Sequence, residues 1–195
     1  MKNKRIAKGA GREMLLQSAT ELFLENGFES TSPQAIYAKS GVGQGSFYHH
    51  FTSKIDLMNA VLLRLVEDKT AQLTQITNQT SSPLQRLELY LEVPRVGTKG
   101  CTFGRFVYES SLSKNELSVP ISEFFDSLLN FLTTNISAAE EEKLINISMP
   151  PVSMAKLIVS QIQGSYILSR IYNDGSILTE SILTVRELLG LPVKE

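Results

Sequence analysis

The sequence predicts an all-α protein. A three-helix N-terminal unit with the helix-turn-helix layout is followed by a larger helical C-terminal part, about nine helices altogether. Three observations predict it. Apolar residues recur at helical spacing along nearly all of the 195 residues. No segment alternates with the period of two that a half-buried strand needs, and no internal repeat is found. Ser32 to Phe51, SPQAIYAKSGVGQGSFYHHF, reads as a short helix, a glycine-containing turn and a second short helix ending on aromatics.

The elements follow in order. Leu15, Leu16, Ala19, Leu22 and Phe23 form the apolar stripe of a first helix, which Asn26-Gly27 ends because glycine suits the left-handed C-terminal position. Phe28 follows as a core plug. Ser32 is the predicted N-cap of helix two, with Pro33 in its first turn. That helix runs to about Lys39 and is broken at Ser40-Gly41. Helix three starts near Gly43 and finishes by His50. Ser53 caps helix four, predicted over about 53–78, with Leu57, Val61, Leu65, Leu73 and Ile76 on one stripe. Thr80 to Pro83 is a polar link. Further helices are expected near Leu84–Val96, Phe103–Leu112, Val119–Asn135, Val152–Tyr172 and Ile177–Leu189. Pro94 should end its helix. Asn173-Asp174-Gly175 should join the last two as an antiparallel hairpin. The acidic run Glu140–Glu142 reads as a solvated loop or helix end. The expected organisation is a basic flexible arm over 1–9, a helix-turn-helix domain over 10–56 and a helical ligand-binding and dimerisation domain over 57–195, with helix four linking the two domains.

Composition narrows the function. With 42% hydrophobic residues the chain can bury a sizeable core. A net charge of −1 makes it no polycation, so any nucleic-acid contact must draw on local positive charge. Residues 1–56 hold seven bases (Lys2, Lys4, Arg5, Lys8, Arg12, Lys39, Lys54) against five acids (Glu13, Glu21, Glu25, Glu29, Asp56), and the rest of the chain is net acidic. The basic arm reads as a solvated tail that can order on phosphates. One cysteine excludes an intrachain disulfide framework. No apolar run resembles a signal peptide or a membrane span, so a cytoplasmic location without membrane contact is expected.

The chemistry lies in the helix-turn-helix segment. The second helix of such a motif lies in the DNA major groove. Gly43, Gly45 and Ser46 are small enough at the start of helix three for backbone to approach phosphates, which helix N-termini favour. Gln44 can pair with a base edge, adenine being the usual preference. Tyr48 and His49 are placed to reach backbone or base. Thr31, Ser32 and Gln34 open helix two, where hydroxyls and amides can hold phosphate, and Lys54 supplies a cation. Phe47 and Phe51 should face inward. His49-His50 does not make a metal site, because adjacent residues diverge on a helix and no Cys or His cluster completes a shell.

Residues 11–60, GREMLLQSATELFLENGFESTS and then AIYAKSGVGQGSFYHHFTSKIDLMNAVL, resemble the N-terminal domain of the tetracycline-repressor (TetR) family of bacterial regulators. The glycine, small residue, aromatic, Tyr48, His49, Phe51 and Lys54 carry the resemblance. It implies an all-helical homodimer on a palindromic DNA operator, with a variable C-terminal domain for a small-molecule effector that usually releases the DNA. Many members of the family have lysine where this chain has Gln44.

Two C-terminal features bear on the effector. In the last long hairpin, Met154, Leu157, Ile158, Gln161, Ile162, Ser165 and Leu168 are too many apolar or small positions for one ordinary buried face. The resemblance implies a dimer interface here, at Leu157, Gln161, Gly164, Ser165, Leu168 and Leu183; an intrachain core hairpin is the alternative. Gly100-Cys101-Thr102-Phe103-Gly104 places a thiol after Lys99 at the expected start of a helix, where thiolate is favoured. It resembles a Gly-Cys helix start found in a TetR subgroup that includes electrophile sensors, although a lone cysteine also serves as a small buried residue. Cys101, Phe103, Phe106, Phe124 and Tyr166 are the candidate effector-pocket residues, with Tyr108, Phe125 and Phe131 as further aromatics.

A helical enzyme is the competing class. It finds no support: the only histidines lie in the DNA-reading helix, and no phosphate loop or metal-spaced carboxylates occur. No catalytic residue, metal or cofactor is expected. An activator or an effector-independent DNA-binding protein would share the same reading head.

Overall fold

A computed structural model describes residues 10–109 and 117–192. Among them are eight α-helices and no strand. They are α1 (Ala10–Asn26), α2 (Pro33–Ser40), α3 (Gln44–His50), α4 (Lys54–Gln79), α5 (Pro83–Glu92), α6 (Val119–Glu141), α7 (Pro151–Tyr172) and α8 (Ser176–Leu188), with a 3-10 turn at Gly97–Lys99. The basic arm over 1–9 and the end of the helix expected at 103–112 lie outside the described residues. The chain divides into two compact units, Met1–Glu67 with Arg105–Ile121, and Asp68–Gly104 with Ser122–Glu195.

Local chemistry sets the boundaries. The Gly27 amide donates to the Phe23 carbonyl while Gly27 takes φ +89°, so α1 stops there. Ser32 Oγ accepts from the Ala35 amide at 3.2 Å, and Gly41, at φ +69°, closes α2 by donating to Tyr37. At the head of α4 two caps act reciprocally. Ser53 Oγ accepts the Asp56 amide at 3.0 Å, and the Asp56 carboxylate accepts the Thr52 amide at 2.8 Å. Ser82 caps α5 in the same way with Pro83 in the first turn, and the helix stops at Glu92, ahead of Pro94.

One expected helix is corrected. Residues 102–108 form successive turns, not an α-helix, so Cys101 follows a 3-10 turn and does not open a helix. Gly100, at φ +78°, and Gly104 break the local helical preference. In the other direction α6 runs to Glu141, well past Asn135, because Leu132, Ile136 and Ala139 continue its buried stripe.

In the second unit α7 and α8 pack as the hairpin expected from the Asn173-Asp174-Gly175 turn. Asn173 ends α7 in the left-handed region. The 3-10 turn packs against α7 and α8. A Cβ on Gly97 would lie 2.8 Å from Ser169 Oγ and 3.2 Å from Leu178 Cβ, so only glycine fits there. Two arginines tie helices together, Arg86 half-buried and Arg186 buried. Arg86 on α5 donates to the carbonyls of Thr80 and Thr77, at 2.9 and 3.1 Å, near the end of α4. Arg186 on α8 pairs with Glu88 at 3.3 Å and donates to the Pro192 carbonyl at 2.9 Å.

Candidate DNA-reading head and effector cavity

The reading head is built on Phe47. Its ring is buried and packs edge-on against Tyr37 at 5.3 Å and Tyr48 at 5.2 Å, and tilts against Phe51 at 6.0 Å. Seating Phe47 and Phe51 in the core fixes the rotation of α3. Gln44, Gly45, Ser46, Tyr48 and His49 are thereby turned to solvent, and Tyr48 is 57% exposed. Gly43, Ser32 and Gln34 are exposed as well. Gly43 caps α3 without a side chain, so the first-turn amides receive no side-chain oxygen.

His50 takes the inner side of α3. A Cβ on Gly11 would lie 3.2 Å from His50 Nε2, so glycine at the first turn of α1 lets α3 approach closely. The rings of His49 and His50 sit 5.1 Å apart, and the described residues contain no group of three possible metal ligands.

Tyr37 is a member of this surface that motif reading missed. Burial pushes its phenol upward in pKa, and the neighbouring Tyr48 phenol, to which it hydrogen-bonds, pushes the same way. Tyr37 and Tyr48 both pack on the Phe47 ring. Lys54 extends its ammonium over the Phe28 ring, 4.3 Å from the centroid. Burial lowers its pKa, opposed by the charges of Glu109 and Glu29. Lys39 is committed to Glu21 at 2.9 Å; hydrogen bonding and charge hold the Glu21 carboxyl below its usual range and raise Lys39.

Thr31 is corrected. Its side chain is buried, and its hydroxyl donates to the Gly27 carbonyl at 2.6 Å, so it fastens the α1–α2 turn and has no face for phosphate. Arg105 and Glu109 fasten the same turn. Arg105 donates to the carbonyls of Leu24 and Glu25 in the last turn of α1, a turn with no basic residue of its own. The Glu109 carboxylate accepts the amides of Phe28 at 2.7 Å and Glu29 at 2.6 Å.

The second unit holds a cavity of about 110 Å³. Cys101, Phe103, Phe124 and Tyr166 line it, together with Tyr90, Arg95 and Phe125. Phe106 does not: it is fully buried and belongs to the first unit. Tyr108 is 82% exposed, and Phe131 instead packs on Tyr90 at 6.2 Å.

The hairpin presents an apolar outer stripe. Ile167, Leu168, Ile171 and Tyr172 on α7 and Leu188 on α8 are exposed, and Leu157, Gly164 and Leu183 are half-buried. Gly164 faces open space. Gln161 donates to Ser181 Oγ at 3.3 Å across the hairpin. Ser165 is corrected: it is buried, donates to the Ile162 carbonyl at 2.8 Å and faces the chain's own core.

A short glycine-started helix held by an aromatic core behind α2, with polar side chains outward, defines a helix-turn-helix DNA-binding protein. Residues 15–61 match the family model for bacterial regulatory proteins of the tetR family. The HTH-type transcriptional repressor DhaR of Mycobacterium sp. (strain GP1) is 26% identical over 193 residues, 97% of each chain. The HTH-type transcriptional repressor KstR2 of Mycobacterium tuberculosis (strain ATCC 25618 / H37Rv) is 34% identical over 77 residues, 40% of this chain and 38% of that one. A solved regulator of the TetR/AcrR family superposes with a TM-score of 0.82 at 25% identity, covering 92% of this chain and 98% of its own. The chain is a DNA-binding transcriptional regulator whose residues 15–61 are similar to the N-terminal region of tetR-family proteins. No helix among the described residues is long and apolar enough to cross a membrane.

Proposed function

We propose that this regulator is a repressor that binds a palindromic operator as a homodimer in the cytoplasm and leaves it when a small molecule enters the cavity of the second unit. The observation that carries the reading is the outward set on α3, fixed by the buried Phe47. Gln44 reads a base edge; Ser46, Tyr48 and His49 contact backbone or base; Gly43, Ser32 and Gln34 meet phosphates; and Lys54 swings from Phe28 to a phosphate. Repression is favoured by the names of DhaR and KstR2. The exposed stripe on α7 and α8, with the notch at Gly164, favours dimerisation through this hairpin, which would pair two reading heads with two half-sites.

A second reading rests on Cys101, whose half-buried thiol stands in the cavity wall. Covalent capture of an electrophile there would give the same release, and Cys101→Ser would abolish it while leaving non-covalent release intact.

Binding of the full chain to its upstream intergenic DNA, titrated with salt and followed by in vitro transcription, tests the main reading. Gln44→Ala should relax selectivity at one base, and Tyr48→Phe or Lys54→Ala should weaken all sequences alike. Leu168→Glu should yield monomers in sedimentation at micromolar concentration. A wild-type monomer there, or no preference for any palindrome, would refute the reading.

A further inference from the structure

We propose that the cavity of the second unit is built for a small planar aromatic carboxylate, its ring among the phenylalanines and its anionic end on Arg95 and Lys69. The proposal deepens the ligand-responsive reading above and rests on it for its biological meaning.

The wall divides into two chemistries. Phe103, Phe124 and Phe125 form a mutually packed aromatic set, with centroids 5.0, 5.5 and 6.3 Å apart. Such rings favour a flat partner offered face or edge. Tyr90, Arg95, Cys101 and Tyr166 form a polar set within electrostatic reach of one another, and Lys69 and Gln163 add further donors.

Charge selects the ligand's sign. The described lining contains Arg95 and Lys69 and no aspartate or glutamate. Neither cation forms an ion pair among the described residues. Arg95 is fixed in place by neutral acceptors, the carbonyls of Leu91 and Val93 at 3.1 and 2.8 Å and of Tyr90 at 2.8 Å. Those carbonyls close α5, whose C-terminal dipole offsets only about half a charge. The wall therefore stays positive. A neutral ligand would leave that charge uncompensated, and a cation would be repelled.

The phenols agree. Burial pushes Tyr90 and Tyr166 upward, against the lowering pull of Arg95, so both keep their protons and can donate to a carboxylate. Size sets the scale: about 110 Å³ is somewhat less than the roughly 150 Å³ apolar cavity that takes benzene. That size admits no more than one ring, and the charge of the wall selects its carboxylate.

The test is calorimetric titration of the full-length protein, at fixed ionic strength, with benzoate, benzamide and benzylamine. Benzoate should bind at least about tenfold tighter than benzamide, since a charged hydrogen bond outweighs a neutral one, and benzylamine should not bind. Arg95→Met should level benzoate with benzamide. Because Arg95 also holds the end of α5, Lys69→Met serves as the second variant; it should weaken benzoate several-fold and leave benzamide unchanged. Equal binding of benzoate and benzamide, binding of benzylamine, no binding by any of the three, or benzoate affinity indifferent to both variants overturns the proposal. Operator binding by the ligand-free protein is measured alongside. If DNA binding holds while the charge preference fails, only the ligand class is lost. If benzoate binds as expected but never releases DNA, the cavity chemistry stands and the release reading fails.

Discussion

Glu109→Ala is the perturbation whose size the structure fixes best. The carboxylate accepts two backbone amides, Phe28 at 2.7 Å and Glu29 at 2.6 Å, from a residue 81 and 80 positions away. Both distances are those of charge-assisted bonds. A hydrogen bond to a charged group contributes about 1.5–3 kcal/mol. The Phe28 bond is partly buried and should be worth that range. The Glu29 bond is exposed, so water replaces much of it and it adds less than about 1 kcal/mol. Truncation should therefore cost about 2–4 kcal/mol in total. For a chain of this size each kcal/mol shifts the melting midpoint by about 2–4 °C, so a drop of about 4–16 °C is expected. Glu109→Gln keeps the shape but loses the charge and one of the two acceptor oxygens, and should fall between alanine and wild type. The assay is thermal unfolding by circular dichroism, with urea titration as a second measure. A Glu109→Ala midpoint within about 1 °C of wild type would show that the two amides are satisfied as well by solvent, and the fastening role would be wrong.

Four further outcomes are expected. Thr31→Val should cost about 1 kcal/mol of stability by deleting the bond to Gly27, with operator affinity of the folded protein unchanged; a selective loss of affinity would restore a DNA contact for Thr31. Arg186→Met should destabilise by about 2–3 kcal/mol, less than a fully buried pair loses, because the Glu88 side chain retains 22% exposure; urea unfolding measures it. Gly97→Ala should cost about 1–3 kcal/mol through overlap with Ser169 Oγ, and a neutral result would mean that the 3-10 turn can shift off α7. Asp174 is held below its usual pKa of 3.8 by hydrogen bonding from Ser176, so its contribution is complete above that value and disappears as pH falls through the lower folded one. Melting curves of wild type and Asp174→Ala should therefore converge toward acid pH and stay apart at neutral pH.

The helix-turn-helix was legible because its signals are local. Ser32-Pro33, Gly41 and Ser53 each act within a few residues of their own position, and the buried aromatics of α3 repeat at i and i+4. The side chains that hold the reading head together were not legible for the converse reason. Glu109 and Arg105 act across some 80 residues, and nothing near them in sequence marks the amides and carbonyls they satisfy. Nothing beside Gly11 in the sequence marks the close approach of His50. Thr31 misled because its hydroxyl chemistry suits phosphate, while burial decides whether phosphate can reach it. Ser165 misled in the same way, since small residues serve an inner helix contact as well as an outer one. The Gly-Cys motif failed as a helix start because two glycines four residues apart weaken the helix that the cysteine was expected to open. The aromatics of the second unit could not be sorted by spacing alone, since Phe106 and Phe103 share one turn-rich segment while only Phe103 lines the cavity. The proposed charge preference of the cavity rests on Arg95 and Lys69 standing without a carboxylate among the described lining, and that lining is assembled from five separate stretches of chain, which no run of sequence displays.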